Sequence, residues 1–342
     1  MKSLLAPLLL VLLVACGEDL PRPPVAPLTA AEPELQTLYK WGVGPHSVSG
    51  GQELNLAHPV RDETLRLLAW YPGSGEGDTS PPQGWPLLLF SHGNFSAPDK
   101  YDPLIEHWVS HGYAVLAPFH KDAGGSYLAS TIDMVRYGNL GLIQARVQDL
   151  VALLDGLEEI EQQTGLRFNR EQIAATGHSF GAFNAQQLGG AAAYNTDADS
   201  YERELDRRVR AVVAVSPPGP MFDEINDRSW LEQQTPTLMT TGTWDTNPMF
   251  WPDWRLHKMS FDTARAGDQF ALVVQGADHY LGNLICRPEL EEAPQHDALA
   301  MVNTAVIAFL DAYVMAEPAA MDFLRSGELD RVSARFAQLE SR

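Results

Sequence analysis

Gly177-His178-Ser179-Phe180-Gly181 separates an apolar run, Gln172 to Thr176, from a small-residue stretch, Phe180 to Ala193. The run reads as a strand and the stretch as a helix, which puts G-x-S-x-G on a strand-to-helix turn. A turn that tight leaves no room for side chains at its flanks, and the two glycines provide the space. The serine at its tip is then held in a strained backbone with its hydroxyl clear of the sheet, in the position of a nucleophile. Five-residue patterns also arise by chance, so the segments on either side decide the reading.

From about residue 42 onward, apolar runs alternate with helical patterns, the signature of a mostly parallel sheet covered by helices. Strands are expected at Thr64–Tyr71, Pro86–Phe90, Tyr113–Ala117, Gln172–Thr176, Ala211–Val215, Pro236–Thr241 and Phe270–Gln275. Helices are expected at Pro103–His111, at Asn139–Thr164 with its apolar stripe from Leu142 to Leu157, and at Asp297–Val314. The composition predicts a helical C-terminal tail over 317–342.

A serine hydroxyl attacks a carbonyl only when a base takes its proton, and that base needs a third group to orient it. On this kind of turn the partners follow in the order Ser, acid, His, each on a loop after a strand. Asp245, in Thr241-Gly242-Thr243-Trp244-Asp245, and His279, in Gly276-Ala277-Asp278-His279-Tyr280, occupy those places. Asp278 adjoins His279 too closely to reach its Nδ1; Asp223 and Asp268 are the remaining alternatives. A tetrahedral intermediate also needs N–H donors for its oxyanion. The backbone N–H of Phe180 is one candidate. The second is that of Asn94, with Phe95 as the alternative, in Phe90-Ser91-His92-Gly93-Asn94-Phe95.

The run from Leu87 through Asp122, with Phe90-Ser91-His92-Gly93 and Ser110-His111-Gly112-Tyr113, and the serine turn resemble α/β-hydrolases of the dienelactone hydrolase and platelet-activating-factor acetylhydrolase type. The resemblance covers roughly residues 40 to 315. It implies an α/β-hydrolase fold with an eight-stranded, mostly parallel sheet and serine-esterase chemistry without metal or organic cofactor. Two departures limit it. Dienelactone hydrolases use a cysteine where this chain has Ser179. The acetylhydrolases carry their acid one strand earlier, where this chain reads Ser216-Pro217-Pro218. Fold and reaction class carry over, and the substrate does not.

Phe95, Met221, Phe222, Trp244, Phe250 and Trp251 are the candidates for lining a substrate pocket, and no insertion of the size of a lipase lid is visible. The expectation is a serine carboxylesterase acting on short- to medium-chain esters, with aromatic or polymeric esters within its range. An amidase or peptidase on the same three groups and a non-catalytic binding protein are the alternatives. His107 and His111, four apart on a helix, lack the glutamate of H-E-x-x-H, and no metal is expected there.

The remaining features set the chain's surroundings. A net charge of −20 disfavours nucleic acid and anionic lipid as partners bound through charge. Lys2, the apolar run Leu4–Ala15 and Cys16 read as an export signal over 1–16, too short to span a bilayer. Leu13-Val14-Ala15-Cys16 resembles the bacterial lipobox, which implies acylation of Cys16 and a lipid anchor in the cell envelope, with Gly17 favouring the outer membrane. Residues 17–40 read as a Pro/Ala-rich tether and 41–316 as the catalytic domain. With Cys16 acylated, Cys286 has no partner for a disulfide within the chain.

Overall fold

The computed structural model describes residues 20, 22–73, 81–124 and 127–342. The export signal and Cys16 lie outside the described residues. The strands are β1 (Val48–Ala57), β2 (Thr64–Pro72), β3 (Trp85–Ser91), β4 (Ala114–Pro118), β5 (Phe168–His178), β6 (Ala192–Asn195), β7 (Ser200–Arg203), β8 (Val209–Val215), β9 (Thr237–Gly242), β10 (Gln269–Val274) and β11 (Ala337–Ser341). Nine of them form one sheet in the order β1-β2-β4-β3-β5-β8-β9-β10-β11. From β4 through β10 every neighbour is parallel; β1, β2 and β11 add antiparallel edges. This is the α/β architecture expected from the alternating pattern.

The longer helices are α1 (Asp102–Ser110), α2 (Tyr127–Asp155, broken at Gly138), α3 (Leu157–Thr164), α4 (Phe180–Leu188), α5 (His296–Tyr313) and α6 (Pro318–Ser326). Successive strand residues point to opposite faces, and the parallel strands are apolar on both. Leu88, Phe90, Val115 and Val213 pack with Trp108 of α1 and Phe309 of α5. Leu87, Leu89, Leu116 and Val212 pack with Leu150 and Leu153 of α2 and Ile160 of α3. Each such side chain contributes about 1.5–3 kcal/mol by leaving water. The central strands therefore cannot slip register without exposing one core or the other.

Four expectations need correction. The single helix Asn139–Thr164 is two, α2 and α3, divided at Gly156, where a Cβ would stand 2.6 Å from Leu56. The sheet gains β1, whose Leu54 and Leu56 alternate with polar residues and so form no apolar run. The tail is helical only as far as Val332; β11 then pairs with the outer edge of β10, from Phe270↔Ser341 to Val274↔Ala337. An open edge leaves backbone donors and acceptors unpaired, and the tail covers it. The tether from Arg22 onward lies against the domain: Leu35 and Leu38 are buried, and Tyr39 and Lys40 reach Asp311. Around Asp197-Ala198-Asp199 the chain forms the β6–β7 hairpin.

Candidate active site

Ser179 sits between β5 and α4 with φ 53° and ψ −124°. That is a costly conformation for a residue with a Cβ, and it persists where the surroundings impose it. They do so here by close approach. A Cβ on Gly177 would lie 2.4 Å from the Gly181 carbonyl oxygen, and one on Gly181 would lie 2.1 Å from that of Ser91. Glycine at both flanks is thus a packing requirement of β3, β5 and α4 together.

The structure brings Ser179, Asp245 and His279 into one line. Ser179 Oγ is 2.8 Å from His279 Nε2, and His279 Nδ1 is 2.8 Å from Asp245 Oδ1. A carboxylate only accepts, so Nδ1 carries the ring proton and Nε2 is left to accept from the serine hydroxyl. Thr241 Oγ1 donates to Asp245 Oδ2 at 3.0 Å and fixes the carboxylate's second oxygen. Burial alone would raise the Asp245 pKa, but the facing His257 and His279 outweigh it and hold the carboxyl well below its ordinary range.

The acid and base loops are tied to each other. Trp244 N donates to Ala277 O at 3.0 Å, Gly276 N to Thr243 Oγ1 at 2.8 Å, and Thr243 N to Val274 O at 3.0 Å. Gly242 permits this, since a Cβ there would lie 2.1 Å from the Ala277 oxygen. The other candidate acids are engaged elsewhere. Asp278 accepts from the N–H groups of Tyr280 and Gly282, Asp268 from Tyr313 and Arg325, and Asp223 is exposed.

Phe180 opens α4, so its N–H belongs to the first turn, which has no intrahelical acceptors. Asn94 and Phe95 lie on the loop after β3, and Phe95 has φ 58°. Groups that sequence reading did not single out hold that loop. Arg146 donates to the carbonyls of His92 and Gly93 and pairs with Asp122, all of it buried. Gly93 N donates to Tyr101 Oη at 2.8 Å. Tyr101 Oη in turn is 3.0 Å from His178 Nδ1, and His178 Nε2 donates to the His279 carbonyl at 2.8 Å. Burial, helped by His279, pushes the His178 pKa down to about 3, so it stays neutral in this relay. The relay links the loop after β3 to the backbone of His279. No spacing in the chain announces Arg146, Tyr101 or His257, because their partners lie at irregular separations, from 8 positions for Tyr101 and Gly93 to 77 for Tyr101 and His178, and several are backbone groups.

Of the expected lining residues, Phe222, Phe250 and Trp251 form a ring-to-ring series with Phe180 and His279. The centroid separations are 6.0 Å for Phe180–Phe222, 6.4 Å for Phe222–Phe250, 5.6 Å for Phe250–Trp251 and 5.1 Å for Trp251–His279. Met221 is half-buried next to Phe222 in the chain. Trp244 does not join them. Its indole N–H donates to Pro23 O, Arg22 stacks on its ring, and it lines a groove of about 380 Å³ with Val25, Gly276 and Phe336 whose walls do not include Ser179. The tertiary course of the N-terminal segment recruits it instead.

Among the described residues, Asp245, His257 and His279 are the three whose ligand-type atoms converge as a metal site would require. The rings of His107 and His111 lie 4.8 Å apart, tilted by 55° to each other.

No protein-family model matches this chain, and no curated protein matches it in sequence. Among solved structures, 850 chains match, so the architecture is widespread and does not by itself select a reaction. One of them, a ferulic acid esterase from Streptomyces cinnamoneus, superposes with a TM-score of 0.56 at 18% identity, covering 87% of this chain and 96% of its own. This chain has the same fold as that esterase.

Proposed function

We propose that this protein is a serine carboxylesterase that works through an acyl-enzyme. The observation that carries the reading is the unbroken contact from Ser179 Oγ to His279 Nε2 and from His279 Nδ1 to Asp245, mounted on a turn strained at Ser179. In the first half-reaction Ser179 Oγ bonds to the ester carbonyl carbon as its proton passes to His279 Nε2. The resulting oxyanion lies against the N–H groups of Phe180 and Asn94. Collapse breaks the bond to the alcohol, which leaves with the proton from His279. Water then attacks the acyl-serine, gives a proton to His279, and the carboxylic acid departs as Ser179 regains its hydrogen.

The series Phe180, Phe222, Phe250, Trp251 and His279 gives the acyl side an apolar, aromatic wall. It supports esters of short to medium acyl chains, including aromatic acids. Cys16 is proposed as the lipid attachment point that holds the enzyme in the cell envelope. Among the described residues no helix is long and apolar enough to cross a membrane.

The test is a fluorophosphonate probe applied to the chain truncated before Gly17, with the labelled peptide mapped by mass spectrometry. Labelling confined to Ser179, alongside hydrolysis of p-nitrophenyl butyrate, is the expected result. A folded protein that takes no label and hydrolyses no ester defeats the proposal.

A further inference from the structure

His257 belongs to none of the roles above, yet it is completely buried against the proposed catalytic acid. It lies at the end of the loop that follows Asp245, in Trp254-Arg255-Leu256-His257, and folds back beneath that residue. Its Nδ1 lies 2.5 Å from the Pro217 carbonyl oxygen. Its Nε2 lies 3.0 Å from Asp245 Oδ1, the same oxygen that meets His279 Nδ1. Trp251 covers the imidazole at 5.1 Å, and the rings of His257 and His279 are 5.7 Å apart.

Protons can be assigned from these partners. A carbonyl oxygen accepts, so His257 Nδ1 must carry hydrogen. A carboxylate oxygen also accepts, and a bare Nε2 lone pair held 3.0 Å from it would be repelled, so Nε2 must carry hydrogen as well. The Nε2 contact is poorly aligned for a hydrogen bond, which makes it an ion pair first. Burial works against the charge, and Asp245 more than offsets it, leaving the His257 pKa above its ordinary value.

We infer that His257 is a buried imidazolium that acts as a positioning residue for the proposed reaction, holding and partly neutralising the Asp245 carboxylate at Oδ1, the oxygen that also meets His279. The ionisable groups facing it are Asp245 and His279, with His178 behind the latter. The charge has two consequences. Asp245 Oδ1 is held by the charge of His257 as well as by the Nδ1–H of His279, so His279 keeps the tautomer that exposes Nε2 to Ser179. A second positive charge forming on His279 is opposed by the first, so His279 returns its proton readily to the leaving alcohol.

The inference rests on the esterase reading, and two measurements separate their fates. A long-range proton–nitrogen NMR spectrum of the wild-type protein at pH 7 should show both ring nitrogens of His257 protonated. That outcome does not depend on any activity, so a protein that hydrolyses no ester would defeat the esterase reading alone. In ester hydrolysis, H257Q keeps a donor but loses the charge, and it should lower kcat roughly ten- to a hundredfold with KM within about twofold. H257F loses both and should fall further. In both variants the acid limb of kcat/KM should move to higher pH, because the opposing charge is gone. A neutral His257 ring at pH 7 overturns the inference. So does a rise in KM with kcat unchanged, which would make His257 a wall of the pocket. Activity abolished by EDTA and restored by zinc would overturn it too, by making Asp245, His257 and His279 metal ligands.

Discussion

Two serine–histidine–aspartate lines run through this molecule with nearly the same distances. At the carboxyl edge of the sheet, Ser179 Oγ to His279 Nε2 is 2.8 Å and His279 Nδ1 to Asp245 is 2.8 Å. Within the core, Ser91 Oγ to His120 Nε2 is 2.9 Å and His120 Nδ1 to Asp149 is 2.7 Å. Three groups in a row therefore do not make a nucleophile. Ser91 is the last residue of a central strand, fully buried, whereas Ser179 has φ 53° and stands at the start of a helix. Asp149 is bound by Arg61 and also faces His58, so its charge serves a buried ion network. Asp245 faces only histidines among charged partners. What separates the two lines is burial and backbone strain, and, in the proposed reaction, the N–H donors that would meet a new negative charge beside Ser179.

Exchanging serines gives the largest contrast. S179A should remove fluorophosphonate labelling and lower kcat by about 10⁴-fold or more. S91A should leave kcat within about threefold and cost about 1 kcal/mol in urea unfolding, the net value of one hydrogen bond. A large loss of kcat in S91A with the fold intact would erase the distinction.

The two acids should then separate activity from stability. D245N should lower kcat by about 10⁴-fold through the wrong His279 tautomer while leaving KM near its original value. D149N should retain most of kcat and lose about 1–3 kcal/mol of stability, because Arg61 and His120 lose a charged acceptor. Near-normal turnover in D245N would move the orienting role to another carboxylate.

The smallest effect is that of pH on stability, and its sign follows from the buried rings. Burial and neighbouring positive charge hold the His92 and His120 pKa values well below the ordinary one; His178 is pushed down to about 3. Below about 6.5 the unfolded chain binds more protons at these three sites than the native state, for His178 down to about 3, so stability falls as pH falls from 6.5. Asp149, raised by burial to about 6, acts in the opposite direction between 3.8 and 6, as do Asp102, Glu106 and Asp278, which burial also raises; His107, pushed down to about 4, and the Asp122 and Asp245 carboxyls, held well below their ordinary range by neighbouring positive charge, add to the fall. Tm should therefore decline steadily from pH 7 to pH 4. A Tm that holds level over that interval would mean the rings are not kept neutral. His257 contributes in the alkaline direction, its share being lost as pH rises through its elevated pKa.

Local sequence determined a good deal. The glycines around Ser179, the apolar parallel strands and the order Ser179, Asp245, His279 were legible because each depends on neighbours along the chain: a turn's sterics, a strand's period, a loop's place after its strand. Those same features located the loop carrying Asn94 and Phe95. Tertiary structure alone decided the rest. Whether Trp244 faced the serine or the N-terminal segment depended on where residues 22–25 came to lie. The strand Ala337–Ser341 existed only because the edge of β10 was open to it. His257 became the second neighbour of Asp245 through a fold-back of twelve residues that no periodicity marks. Arg146 and Tyr101 brace the loop after β3 because helices α1 and α2 pack beside it. Short-range sterics and hydrophobic period are written in the order of residues, whereas a buried polar group's partner is chosen by whichever distant backbone or charge the packed chain brings within 3 Å.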